Sequence, residues 1–232
     1  MVILSPPADW LLPAAITLLA FFVSVYWLEY LFSGSRPYVK AIVRLGVFGW
    51  IGVWRFIAGS GALQHFDRTP PPMAMMMAGA VFVSIAIGLS SFGRNATLLP
   101  FSSLIGLQAF RFPLELLMHR GVTLGIVPVE LSYTGYNIDI VTGIGAALIA
   151  IALSRGVAVP RGVLWIWNIF GWICLAVILA VAVLGSPMLH RFGTDPRHVN
   201  TWVLFFPYVL VPTALVVTAL SAHVVITRKL LS

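Results

Sequence analysis

Apolar stretches of about 20 residues alternate with short polar breaks along the whole chain, the pattern of helices that cross a membrane. The first stretch runs from about Trp10 to Phe32, with Trp10 at one end and Trp27, Tyr30 and Phe32 at the other, where interfacial aromatic anchors belong. Ser33 to Pro37 is a polar loop. A second span is expected over Tyr38 to Gly61, with Arg44 near its start, within snorkelling reach of the interface, and Arg55 deeper toward its far end. Three consecutive prolines close the break from Gln64 to Pro72, because proline cannot continue a helix. The third span is Met73 to Leu89, and Ser90 to Thr97 reads as a polar turn.

The fourth segment, Leu98 to Arg120, departs from the rest. Pro113 leaves the carbonyl of Ala109 without its donor and predicts a kink. The same segment carries Gln108, Arg111, Glu115 and His119, and the last three fall about 40° apart on a helical wheel, on one face. Gly121 to Tyr136 is apolar but studded with Gly125, Pro128, Glu130 and Gly135, so an irregular link packed in protein or at the interface is expected. The fifth span is Asn137 to Ser154, with a small-residue face of Gly143, Gly145, Ala146 and Ala147 for close helix contact. Gly162 to Leu184 is the sixth, Gly185 to Asn200 a polar loop, and Thr201 to Thr227 a seventh, broken by Pro207 and Pro212.

These elements make an all-α, polytopic transmembrane helical bundle, residues 1–232 forming a single integral membrane domain. Composition agrees. The chain is 60% hydrophobic and 9% charged, with a mean hydropathy of +1.00. A soluble domain carries about 25% charged residues and could not be covered from water by so few. Met1 to Asp9 contain no Lys or Arg, which predicts a retained first span rather than a cleaved signal peptide.

The net charge of +7 comes from 14 scattered basic residues without a cluster of five, so it reads as topology, with a weaker case for anionic lipid, and not as nucleic-acid binding. Seven spans put Arg36, Lys40, Arg44, Arg94, Arg155, Arg161, Arg228 and Lys229 on one side, and Arg68, Arg120, Arg191 and Arg197 on the other. Eight against four makes the first side cytoplasmic, with the N-terminus outside, the C-terminus inside, and a bacterial inner membrane as the expected location. A re-entrant Leu98 to Arg120 would leave six spans and invert the later loops. No internal repeat is visible, so an inverted-repeat transporter finds no support.

An ionised side chain at the bilayer centre costs roughly 2.5 to 3.5 kcal/mol and normally faces the protein interior, paired. Arg111, Glu115 and His119, with Gln108 on the same face, therefore mark a candidate site, which Asn137 and Asp139 join from the next span and Arg55 from the second. Such a group can relay a proton, hold a small polar ligand or coordinate a cation. It can equally be structural: Arg111 and Glu115, at i and i+4, can neutralise each other, Asn137 and Asp139 can cap a helix, and His119, next to Arg120, suits a solvated or headgroup position.

His223 is a candidate axial haem ligand, but its intramembrane partner would be His119, placed toward the opposite face. Met73, Met75, Met76 and Met77 read as apolar filler before soft-metal ligands, and Glu29 as half of an ion pair with a basic loop residue. The lone Cys174 excludes a disulfide and a CxxC motif; no zinc-protease, phosphate-loop or dinucleotide fingerprint is present, and no metal or cofactor is specified.

At Phe110-Arg-Phe-Pro-Leu-Glu115 and Thr134-Gly-Tyr-Asn-Ile-Asp139 the chain resembles a family of bacterial multi-pass membrane proteins without an assigned activity, through Phe-Arg-x-Pro-x-Glu followed by Gly-x-Asn-x-Asp. The resemblance extends to the Pro70 to Pro72 break, to Phe206-Pro207 and to Ser221-Ala-His223, where an alanine interrupts the family's Ser-His pair. It implies that Arg111, Glu115, Asn137 and Asp139 form one family feature, and implies no reaction. Three functions stay open: binding or translocating a proton or small polar solute, a non-catalytic subunit bound to other membrane subunits, and a membrane enzyme.

Overall fold

In the computed structural model, which describes residues 9–232, the chain is all-helical. Residues 1–8, most of the stretch on which the retained first span was read, lie outside the described residues. Among the described residues nine α-helices follow one another: α1 Leu11–Leu31, α2 Pro37–Gly59, α3 Pro72–Leu89, α4 Ser91–Ala96, α5 Phe101–Leu107, α6 Arg111–Thr123, α7 Ile140–Ser154, α8 Arg161–Leu184 and α9 Val216–Leu231, the last preceded by a wide π turn over Val211–Leu215. Five rods are long and apolar enough to cross a membrane: α1, α2, α3, α8 and the continuous Val211–Leu231. α7 is apolar but shorter.

Local chemistry sets the boundaries. The Asp9 carboxylate accepts the Leu12 amide at 3.0 Å and so satisfies a free donor at the start of α1. Proline opens α2 and α3, where its missing N–H is not needed. Ser90 caps α4 by accepting the Gly93 amide at 3.1 Å, so the expected polar turn is a short helix. Pro113 sits in the first turn of α6, and the kink it imposes takes the form of a 3₁₀ turn over Gln108–Phe110 that joins α5 to α6.

The final segment differs most from expectation. Thr201 to Val209 is not helical, apart from a 3₁₀ turn at Trp202–Leu204, although most of it is buried. The helix also runs to Leu231, past the expected end at Thr227. It continues because its basic last turn finds acceptors within the bundle. Arg228 donates to the carbonyls of Gly88 (2.6 Å) and Ser90 (3.1 Å), and Lys229 donates to that of Thr97 (2.6 Å) with its ammonium 5.0 Å from the Phe101 ring.

α9 is the axis of the bundle. It packs on α3 and α8, with α1, α4 and α5 completing its surround, while α6 and α5 lie on α7. Of its apolar window 72% is buried, against 11% for α2, which leans mainly on α1. One core cluster unites Leu12 and Ile16 with Met118 and Leu215; a second unites Trp27 and Leu31 with Leu104 and Leu230. The α5–α6 rod thus runs from one end of the bundle to the other beside α1. At its far end Arg120 pairs with Asp9 at 3.3 Å, and at the opposite end of the bundle Glu29 accepts from Arg44 Nε at 2.7 Å.

Candidate functional site

Arg111 opens α6 at the 3₁₀ turn, in the middle of the bundle, and is 1% exposed. Its guanidinium grips Asp139 with two prongs, Nε to Oδ2 at 2.5 Å and Nη2 to Oδ1. Nη1 lies 2.7 Å from Nε2 of His223, and Nη2 reaches the Gly171 carbonyl at 3.4 Å. Every guanidinium nitrogen is engaged, which is the condition for holding such a group away from water.

His223, fully buried on α9, places its Nδ1 2.8 Å from Oδ1 of Asn168. The Asn168 amide nitrogen donates to Thr227 Oγ1 at 2.8 Å, and the Thr227 hydroxyl donates back to the His223 carbonyl at 2.8 Å. That loop makes Oδ1 of Asn168 an acceptor, so His223 Nδ1 carries the hydrogen and Nε2 offers its lone pair to Arg111. The imidazole lies between two indoles of α8, Trp167 at 5.3 Å and Trp172 at 6.0 Å.

Two glycines make this approach possible. A Cβ on Gly171 would stand 2.3 Å from His223 Cε1, and one on Gly143 would stand 2.3 Å from the Phe112 backbone nitrogen. Of the expected small-residue face of α7, Gly143 lies against the start of α6 and brings α7 up to Arg111, while Gly145 faces Trp167 of α8.

Glu115, one turn along α6, does not pair with Arg111 as its spacing suggested. It accepts from Asn137 Nδ2 at 2.6 Å, and its Oε2 is buried without a partner. Asn137 also donates to the Leu131 carbonyl at 3.1 Å and accepts the Asp139 amide at 3.1 Å through Oδ1. Asn137 therefore shapes the turn ahead of α7. Asp139 occupies the cap position, but its side chain caps nothing, because Arg111 holds it. The link before α7 satisfies its own backbone, with Asn137 N donating to Ser132 O at 3.2 Å and Tyr136 N to Glu130 O at 3.2 Å. Irregular backbone buried in protein is tolerated on those terms.

Beside these groups lies a cavity of about 50 Å³, lined by Arg111, Glu115, Asn137 and Asp139 on one side and by Leu175, Ile178 and Leu215 on the other. It has room for about one or two water molecules. Gln108 is fully buried and donates to the Ala219 carbonyl at 3.0 Å, tying α5 to α9.

Two expected members stand elsewhere. His119 stacks on Tyr133 at 4.7 Å, a turn beyond Glu115 and outside the network. Arg55 stands over the Phe206 ring at 5.2 Å, in a separate cleft of about 710 Å³ shared with Gln64 and Tyr208. His223 moves the other way. Because α9 continues to Leu231, the residue lies at mid-bundle, and with both ring nitrogens engaged it has none to offer haem iron. The four methionines opening α3 fall largely into the apolar packing, with Met73 and Met76 in the core. Among the described residues no three His, Cys, Asp or Glu converge as metal ligands. Asn168 escaped the sequence reading, although it is the one amide in the apolar run of α8, and a lone amide there marks an interhelical hydrogen bond.

Fold and site together define a helical membrane protein with a charged network closed inside the bundle. The chain belongs to the family described as a domain of unknown function (DUF8737), whose model matches residues 70–231. Every residue of the network lies within that match, and α1 and α2 precede it. No curated protein and no solved structure matches the chain.

Proposed function

We propose that this chain is a seven-span protein of a bacterial inner membrane, N-terminus outside and C-terminus cytoplasmic, that binds a proton or a water-sized cation at Glu115 and carries it between two states of the bundle. Seven spans are supported by the α5–α6 rod, about 34 Å long at 1.5 Å per residue over Phe101 to Thr123, enough for a hydrocarbon core of about 30 Å. The orientation rests on the excess of basic residues around Lys40, Arg94, Arg161 and Lys229.

One observation carries the functional reading. Arg111 balances Asp139, the hydrogen-bonding of His223 is that of a neutral ring, and Glu115 stands on the cavity as an additional acid with Oε2 unpartnered. A buried excess carboxylate is costly, and a proton or one small cation in the cavity neutralises it. The network is not a continuous proton wire, because Arg111 does not give up its proton. Carriage therefore requires a change of bundle conformation, for which the π turn and the irregular stretch before it are the natural seat.

The test is thermal unfolding of the detergent-purified protein across pH and across Li⁺, Na⁺ and K⁺ at constant ionic strength. A tenfold rise in a saturating ligand adds about 1.4 kcal/mol of stability. Protons or one alkali cation should raise Tm, and Glu115→Gln, folded, should lose that response. Identical responses in wild type and Glu115→Gln would overturn the proposal. Potential-driven uptake into proteoliposomes then separates carriage from binding alone.

A second reading, a non-catalytic subunit of a larger membrane complex, is favoured by how completely the Arg111 side of the network is paired. It predicts stoichiometric partner chains in mild-detergent mass spectrometry. A membrane enzyme acting on an organic substrate has little support from a cavity of about 50 Å³.

A further inference from the structure

α2 stands off the bundle, and an apolar furrow runs between it and α3 and α9. Two cavities of about 470 and 410 Å³ form the furrow and share Trp50, Val83, Thr213 and Val217 as walls. The indole of Trp50 crosses it, donating at 3.2 Å to the Thr213 carbonyl in the π turn. On α2 the lining residues Val43, Val47, Trp50, Trp54 and Ile57 alternate four and three apart, which puts them on one stripe. From Val43 to Ile57 that stripe extends about 21 Å at 1.5 Å per residue, more than one leaflet of a hydrocarbon core about 30 Å thick.

One step further back on the same stripe is Lys40, in the first turn of α2, and Arg36 is the extended residue just ahead of the helix. Among the described residues neither side chain makes an ion pair or hydrogen bond, whereas neighbouring Arg44 is held by Glu29 at 2.5 Å. The furrow is thus an apolar slot headed by two uncompensated cations at the basic end of the bundle. We infer that it holds an acyl chain of an anionic phospholipid, with the phosphate between Lys40 and Arg36. A partner helix, about 10 to 12 Å across, is too thick for cavities of this volume, while an acyl chain is one carbon wide. Charge at the mouth selects the anionic headgroup, since each basic residue near a membrane surface attracts anionic lipid by about fivefold.

Gly46 and Gly79 line the furrow, and a Cβ on either meets nothing within 4 Å, so a larger side chain there enters the slot without striking the protein. The experiment is native mass spectrometry of the full chain exchanged in mixed phosphatidylglycerol and phosphatidylcholine micelles. One phosphatidylglycerol should be retained in preference, Lys40→Ala should reduce that preference about fivefold, and Lys40→Arg should keep it. Gly46→Leu should release both lipids while its melting shows a folded protein, with Gly79→Leu on the opposite wall as the second plug. Equal retention of the two lipids, or plug variants that retain lipid as wild type does, would overturn the inference. So would a polypeptide cross-linking to Val43 or Val47.

Discussion

Arg111 and Asp139 lie 28 positions apart and meet as a two-pronged ion pair inside the bundle, from the first residue of α6 and the residue before α7. The pair makes the junction of α6 and α7 an electrostatic lock. Removing one partner leaves the other as an uncompensated buried charge, which costs about 3 to 5 kcal/mol, while removing both costs less. Arg111→Ala and Asp139→Ala should therefore each lower the detergent melting temperature sharply, and the double variant should recover part of the loss. Arg111→Ala combined with Glu115→Ala should recover less, because Asp139 stays unpaired. Melting of the four variants decides which acid is the partner.

Gly171 and Gly143 are tight for different reasons, and alanine separates them. At Gly171 the new methyl meets the His223 ring, and at Gly143 it meets backbone of α6. Each should lose about 1 to 3 kcal/mol, the usual cost of overpacking. Gly171→Ala should be partly rescued by His223→Ala, which empties the ring's space, and no side-chain truncation should rescue Gly143→Ala. Gly49→Ala, with nothing within 4 Å, is the neutral control.

The helical skeleton was legible because membrane-length apolar runs carry their own boundaries. Where the chain breaks that rule, at Thr201 to Val209, burial by neighbours lets apolar residues leave the helix, and composition does not distinguish the two states. Placing Arg111 and Asp139 in one cluster needed only charge in an apolar run. Pairing them correctly needed three dimensions, since the i,i+4 spacing favours Glu115 on paper while the approach of α7 at Gly143 delivers Asp139 first. The place of His223 in the network was hidden for a related reason: its depth depends on where α9 ends, and that end is set by carbonyls of α3 and of the turn after α4 that accept from Arg228 and Lys229.

The hydrogen-bond loop through Asn168 and Thr227 fixes the His223 tautomer. Nitrogen NMR of histidine-labelled protein should find the hydrogen on Nδ1 and an acceptor at Nε2. Asn168→Ala should loosen that assignment without unfolding the bundle, and a hydrogen found on Nε2 in wild type would contradict the network.

Asp9 lies ahead of α1, outside the membrane span. The hydrogen bond from the Leu12 amide holds its carboxyl below the usual range against desolvation, and Arg120 adds to the lowering. A depressed acid contributes stability above its unfolded pKa and loses it as pH falls through the folded value. Asp9→Asn should thus melt earlier than wild type at neutral pH, and the two curves should converge in acid below the ordinary aspartate range of about 3.9.

Seven crossings and six crossings with a re-entrant α5–α6 differ in the side on which the later loops lie, and the lone cysteine makes the distinction accessible. Cys174 is buried in α8, so Cys174→Ala supplies a background for single exposed probes. Ser33→Cys and Ser60→Cys flank α2 and report opposite sides in both topologies. Val157→Cys follows α7 and Thr194→Cys precedes the last span. With seven crossings an impermeant maleimide applied to intact cells labels Ser60→Cys and Thr194→Cys together and spares the other two. With a re-entrant rod it labels Ser60→Cys with Val157→Cys instead. The first pattern is expected, because Arg120 meets Asp9 at one end of the rod while Phe101 meets Lys229 at the other, and a re-entrant segment would return both of its ends to one side.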